Sequence, residues 1–214
     1  MKVRARSSQD KEARRRAILM AAGKLLDKKG AEGLTMAAVA RDARLAKGTL
    51  YLYFATREEM LLALLQEELA GFFGAVVERF GPARAVTPAQ LARGLTVLVE
   101  ARPRMVRLLG LLNTIVEHNV GESAVRAFKF FLRDNVGALG VELERRMAGL
   151  PRGSGARALL LFNALVVGVD GMAHPAAVVD RVLQEPGLQA LRLDFSRELE
   201  KATAALFTGL LANG

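Results

Sequence analysis

The chain has 214 residues, 51% of them hydrophobic, enough for one large or two small globular domains around a buried core. It has no cysteine, which excludes disulfides, thiolate metal sites and cysteine nucleophiles and fits a reducing, cytoplasmic interior. The formal net charge of +9 is unevenly placed: residues 1–57 hold 14 Lys or Arg against 5 Asp or Glu, while residues 58–214 hold 17 of each. The surplus sits on the first quarter of the chain and asks for a polyanionic partner there.

In chain order, residues 2–6 are basic, yet no apolar signal core follows them, and no uninterrupted apolar run approaches the ~18 residues of a membrane span. The expectation is a soluble chain with no membrane partner. The 3.6-residue apolar period predicts a first helix over about 9–29, with Ile18, Ala21, Ala22, Leu25 and Leu26 on one face and Gly30 as its stop. Thr35 can cap a short second helix, and residues 46–54 form a third. Thr56 and Glu59 have the capping-box spacing, which starts a long fourth helix running to about Phe80. All six prolines lie beyond residue 81 and punctuate further helices near 87–101, 103–118, 121–148, 154–173, 176–185 and 188–211. On 121–148, Val125, Phe128, Leu132, Val136, Leu139, Leu143 and Met147 recur at three or four residues; on 188–211, Leu191, Phe195, Leu199, Ala202, Leu206 and Leu210 do so. No segment alternates with a strand period. The expected fold class is all-α, with a basic N-terminal bundle over 1–58 and a larger apolar helical bundle over 59–214.

Residues 35–54 have the layout of a helix-turn-helix that reads DNA. A recognition helix must present its N-terminal half to base edges and hold its other face to the bundle. Leu50 and Phe54 face the core with Val39, Ala40 and Leu45, which leaves Lys47, Thr49, Tyr51 and Tyr53 for nucleic acid. Gly48 lets the backbone come close to the sugar-phosphate wall. Thr35 and Arg57 stand at helix N-termini, where phosphate is favoured. Arg4 and Arg6, on an N-terminal arm, can enter a minor groove or follow the backbone.

The set Arg16-Ala17-Ile18-Leu19, Ala21-Ala22, Gly30, Leu34-Thr35, Val39-Ala40, Lys47-Gly48-Thr49-Leu50-Tyr51-Leu52-Tyr53-Phe54 and Arg57-Glu58-Glu59 resembles the TetR family of bacterial repressors over residues 12–69. The resemblance implies a homodimeric one-component regulator: an N-terminal domain on a palindromic double-stranded DNA operator, and a C-terminal domain that binds a small effector and dimerises through its last two long helices. Carried over by position, the resemblance implies Thr35, Lys47, Thr49, Tyr51, Tyr53 and Arg57 as the candidate DNA contacts. Ala46 departs from the family's usual polar cap, and Arg57 replaces its usual Lys.

In the C-terminal part, Asn113, Glu117, His118, Glu122, Asn163, Asp170 and His174 interrupt apolar helices. A pocket for a small, largely apolar effector is expected from Leu109, Leu112, Phe128 and Phe131, with Asn113, Glu117, His118, Asn163 or Asp170 orienting the guest and Val167 on the same stripe. His118 with Glu122, and Asp170 with His174, have metal-pair spacing, but such helix pairs are mostly structural and no metal or other cofactor is expected. No nucleophile, zinc-protease helix or phosphate loop points to catalysis. The alternative from another class is a small-molecule or metal-binding helical protein, enzymatic or not, whose basic bundle serves another purpose.

Overall fold

The computed structural model describes residues 2–81, 85–112 and 119–212, with side chains from residue 9 onward, and among these residues the regular structure is helical with no strand. The elements are α1 (Lys2–Lys29), α2 (Met36–Asp42), α3 (Lys47–Tyr51), α4 (Arg57–Phe80), α5 (Pro88–Glu100), α6 (Pro103–Leu111), α7 (Glu122–Arg146), α8 (Ser154–Ala173), α9 (Ala177–Val182) and α10 (Phe195–Ala212), with one 3-10 turn at Gln189–Leu191. They divide into two compact units, Met1–Glu68 with Leu111–Phe128, and Leu69–Gly110 with Lys129–Gly214. The helix α4 contributes its first half to one and its second half to the other.

In the first unit, Ile18, Leu19, Ala22, Leu25 and Leu26 of α1 are buried with Val39, Ala40, Leu50 and Phe54, as the period predicts. Helix α1 begins at Lys2, seven residues ahead of Gln9, because nothing in this Arg, Ala and Lys-containing stretch breaks a helix. The backbone carrying Arg4 and Arg6 is therefore helix rather than a separate arm, and their side chains lie outside the described residues. Gly30 ends α1 with φ 68°, its N–H bonding the Leu26 carbonyl at 3.0 Å. Thr35 caps α2, its hydroxyl oxygen accepting the Ala38 N–H at 3.2 Å.

The predicted capping box at the start of α4 forms with a variation. The Thr56 hydroxyl oxygen accepts the Glu59 N–H at 3.0 Å, while the Glu59 carboxylate accepts the N–H of Ala55 at 3.0 Å rather than that of Thr56. Both cap residues also hold the distant segment of their own unit: the Thr56 hydroxyl donates to the Asn119 carbonyl at 3.0 Å, and the Gly121 N–H donates to Glu59 at 3.3 Å.

In the second unit, α5 starts with a full capping box, Thr87 and Gln90 exchanging bonds around Pro88. Helix α10 packs on α5 and α8, burying Leu199 and Phe207. It starts at Phe195, and Leu191, expected on its apolar face, lies in the preceding 3-10 turn with 63% of its surface exposed. Helices α7 and α8 touch backbone to backbone: a Cβ on Gly155 would stand 2.2 Å from the Gly140 carbonyl oxygen. Arg146 is buried, donates to the Phe80 carbonyl at the end of α4, and is held by Glu142, its Nε donating at 2.7 Å. Helix α9 has no buried residue.

Two helices, α4 and α8, have the length and apolar composition of a membrane span, although no uninterrupted apolar run suggests one. Half of the most apolar stretch of α4 is buried in the chain, but only 22% of that of α8. On α8, Leu160, Leu161 and Met172 are exposed beside Ala164, Gly168 and Gly171.

Candidate nucleic-acid interface

Helix α3 is five residues long and ends at Tyr51, shorter than the 46–54 expected. Leu50, fully buried, is its anchor, and Phe54 is buried just beyond it. The Phe54 ring carries the Arg15 guanidinium 5.5 Å from its centroid. With only one turn, the helix depends on that anchor, and Leu50→Ala would cost on the order of 2–5 kcal/mol.

Lys47 and Gly48 are exposed, Thr49 and Tyr53 half-buried, and Tyr51 is 46% exposed. The Lys47 ammonium stands 6.0 Å from the Tyr51 ring centroid, an arrangement that holds both side chains on one patch. Tyr53 lies beyond the end of α3, its N–H bonding the Leu50 carbonyl at 3.0 Å. A Cβ built on Gly48 meets nothing within 4 Å, so packing inside the chain does not require glycine there. Ala46 caps α3 with no side-chain bond, the gap its identity predicts. Thr35, accepting from Ala38, keeps its hydroxyl proton free to donate to a phosphate.

Arg57 is placed differently from a free phosphate clamp. Its Nε donates to Glu58 at 3.0 Å and its Nη1 to the Ala31 carbonyl at 3.3 Å, and its side chain is 29% exposed. Its charge is engaged inside the bundle, where it ties the start of α4 to the turn after α1. Leu52, with 78% of its surface exposed, is a neighbour of the recognition face that periodicity does not single out.

Asn113, Glu117 and His118 lie outside the described residues. Leu109 and Phe128 are buried, Leu112 and Phe131 half-buried; Leu112 and Phe128 belong to the first unit, Leu109 and Phe131 to the second. Asn163 is exposed on the outer side of α8, and Val167 is half-buried. Asp170 pairs with His174 at 2.9 Å. No group of three metal-ligating side chains occurs among the described residues.

Two cavities of ligand size lie in the second unit. One, of about 620 Å³, is lined by apolar residues such as Val99, Val106, Leu193 and Phe195 as well as by Glu100, Arg107, Asp170, His174, Asp194 and Ser196. The other, of about 690 Å³, runs along the second half of α4 and α7 and is lined mainly by Ala70, Phe73, Gly74, Val77, Ala138 and Leu139, with Asn135, Glu142 and Arg146 at its polar end. Phe131 flanks this second cleft, its ring 6.1 Å from that of Phe73. The periodicity that places Leu139 in the core also places Phe73 and Val77 on one side of α4, but it carries no sign of which gap between helices stays open.

The family model for bacterial regulatory proteins of the tetR family matches residues 18–64, and that for the tetracyclin repressor-like C-terminal domain matches residues 66–214. Among curated proteins no sequence matches. Similar solved structures include a possible TetR family transcriptional regulator from Streptomyces coelicolor A3(2), with 24% identity and a TM-score of 0.62 over 94% of this chain and 100% of that one. AibR in complex with isovaleryl coenzyme A and operator DNA follows at 20% identity and 0.52 over 91% and 98%. FadR from Bacillus subtilis in complex with stearoyl-CoA stands at 18% and 0.52 over 88% and 97%. At these identities the structures establish the fold. The two family models together span nearly the whole described chain, and with the helix-turn-helix on its charged first quarter, the chain belongs to the TetR family of bacterial regulatory proteins and is a transcriptional regulator.

Proposed function

We propose that the chain is a one-component repressor that binds a palindromic operator as a homodimer and is released by a small, largely apolar effector. The observation that carries the DNA part is Gly48: a glycine in the single turn of α3 costs stability, a Cβ there would meet nothing within 4 Å, and it lies exposed beside Lys47. A helix that must come against a sugar-phosphate wall explains this residue. In this reading Thr35, Lys47, Gly48, Thr49, Tyr51 and Tyr53 meet DNA, while Arg57 acts by fixing the first turn of α4. The domains divide at residue 58, with DNA binding before it and effector binding and dimerisation after it.

The homodimer rests on α8. A helix so apolar and so little covered by its own chain needs a partner surface in water. Leu160, Leu161, Ala164, Gly168 and Met172 on its open side suit a second α8, with α10 beside it in a four-helix interface. In this reading the open side of α8 meets protein rather than a membrane, and the chain acts as a cytoplasmic regulator without enzymatic activity. The effector occupies the cleft along α4 and α7, with Phe73, Val77, Leu139 and Phe131 as walls. Its composition suits a guest such as the acyl groups held by two of the similar structures. Because α4 contributes to both units and its cap residues Thr56 and Glu59 hold residues 119–121, a guest that favours one setting of α4 shifts the protein between states of different DNA affinity.

Fluorescence anisotropy with the intergenic DNA upstream of the gene tests the reading. Binding is expected to weaken steeply from about 50 to 200 mM salt, and native mass spectrometry is expected to show a dimer. A monomer that binds no duplex would defeat it.

A further inference from the structure

Arg44 stands in the turn between α2 and α3 with φ 55°. The turn is a helix stop with two bonds, the Leu45 N–H to the Ala40 carbonyl at 2.8 Å and the Arg44 N–H to the Arg41 carbonyl at 3.1 Å. This geometry requires a left-handed residue at position 44, and glycine is the residue that adopts it without strain. At the five other left-handed positions among the described residues, 30, 81, 149, 153 and 187, the chain has glycine. Here it has an arginine, whose Cβ crowds the following carbonyl.

Nothing among the described residues accounts for that choice. Arg44 is exposed, and its guanidinium makes no hydrogen bond or ion pair with any described residue. Its neighbours are engaged: Arg41 reaches Asp42 at 4.0 Å, and Lys47 lies over the Tyr51 ring. Arg44 is thus a cation without a partner among the described residues, held in a strained backbone, three residues ahead of Lys47, where the chain turns into the recognition helix. Local strain that the fold does not use is a pointer to function.

We infer that Arg44 is a DNA contact: its guanidinium bonds a backbone phosphate beside the major groove that α3 enters, and the left-handed arginine is retained for that cation. This rests on the DNA-binding reading above and adds to it a residue that the helical faces do not reveal. A phosphate contact anchors without reading sequence, so its loss acts equally on good and poor sites.

The test uses full-length protein, a ~30-bp duplex selected by the wild type from a random pool, and duplexes carrying single base changes. Arg44→Gly is expected to raise Tm by about 2 °C by relieving the turn, to weaken binding about tenfold or more at 0.15 M salt, and to flatten the slope of log K against log salt by about 2 for a dimer. Arg44→Lys is expected to keep most of the slope. An unchanged slope and affinity in Arg44→Gly overturn the proposal. A lowered Tm overturns it too, because Arg44 would then be holding the fold. A loss confined to one base position overturns the phosphate assignment in favour of base reading. If the wild type selects no duplex while Arg44→Gly folds normally, the DNA-binding reading itself has failed, and the proposal with it.

Discussion

In the first unit the buried apolar positions, Ile18, Leu26, Leu34, Val39 and Leu50 among them, leave outside a recognition face that carries Lys47 and Tyr51. In the second unit large apolar side chains stay exposed in a cluster along one helix, Leu160, Leu161 and Met172 on α8, with Val178 on the short α9 after it. The difference follows from the partners. DNA presents a constant polyanion, so the residues that meet it are of fixed types at fixed spacing. A dimer face and an effector cleft need only apolar surface of suitable shape, which many sequences supply. The sequence therefore points to particular residues for the surface of one unit, and for that of the other only to an outline.

Three variants probe this contrast. The Lys47→Ala, Tyr51→Ala double variant has the largest expected effect: DNA affinity falls about a thousandfold or more, since four side chains leave a dimer's two recognition faces, while circular dichroism and mass show an intact dimer. Retained salt-sensitive binding would remove α3 from the interface. Next, Leu160→Glu on the open side of α8 weakens the dimer by on the order of 100-fold by placing a charge against its symmetry mate. Sedimentation velocity would reveal the monomer, and an unshifted dimer would put the interface elsewhere. Third, Gly48→Ala weakens operator binding about tenfold, although it favours the helix and clashes with nothing in the chain. Equal affinity there would show that α3 does not approach the duplex backbone at that point.

The regions also differ in how far the sequence foretells them. The helices α4, α5, α7 and α8 follow the apolar period, and the caps Thr35 and Thr56 stand where the pattern puts them, because period and capping are local properties. The start of α1 and the early end of α3 are less legible: fraying and stopping depend on backbone bonds that no side-chain pattern encodes. Arg57 reads as a free cation, since its ties to Glu58 and the Ala31 carbonyl come from the tertiary fold. Arg44 is hidden for the opposite reason, as its left-handed backbone belongs to the turn rather than to a helical face. Asn163, polar on an apolar helix, suggests a pocket yet faces outward, because α8 has two apolar sides and the period cannot say which one the chain covers.

The smallest expected effects set one carboxylate of each unit against the other. Glu142, in the second unit, has its carboxyl held below the usual range, chiefly by its hydrogen bonds from Arg146. Its contribution to stability is therefore present above the ordinary value of 4.5 and is lost as the pH falls through the lower folded value. Glu67, in the first unit, has its carboxyl raised, chiefly by burial, although Arg15 at 3.6 Å opposes the shift. The folded state then binds this proton more tightly than the unfolded chain, so Glu67 costs stability as the pH rises from 4.5 through its raised value. Glu142→Gln should lower Tm at pH 7 by about 1–2 °C, and Glu67→Gln should raise it by about 1 °C, each difference shrinking on acidification. Scanning calorimetry at pH 7 and pH 4 decides the matter. Shifts of the same sign in both variants would mean that the Arg146 bonds and the burial of Glu67 do not set the balance in their units.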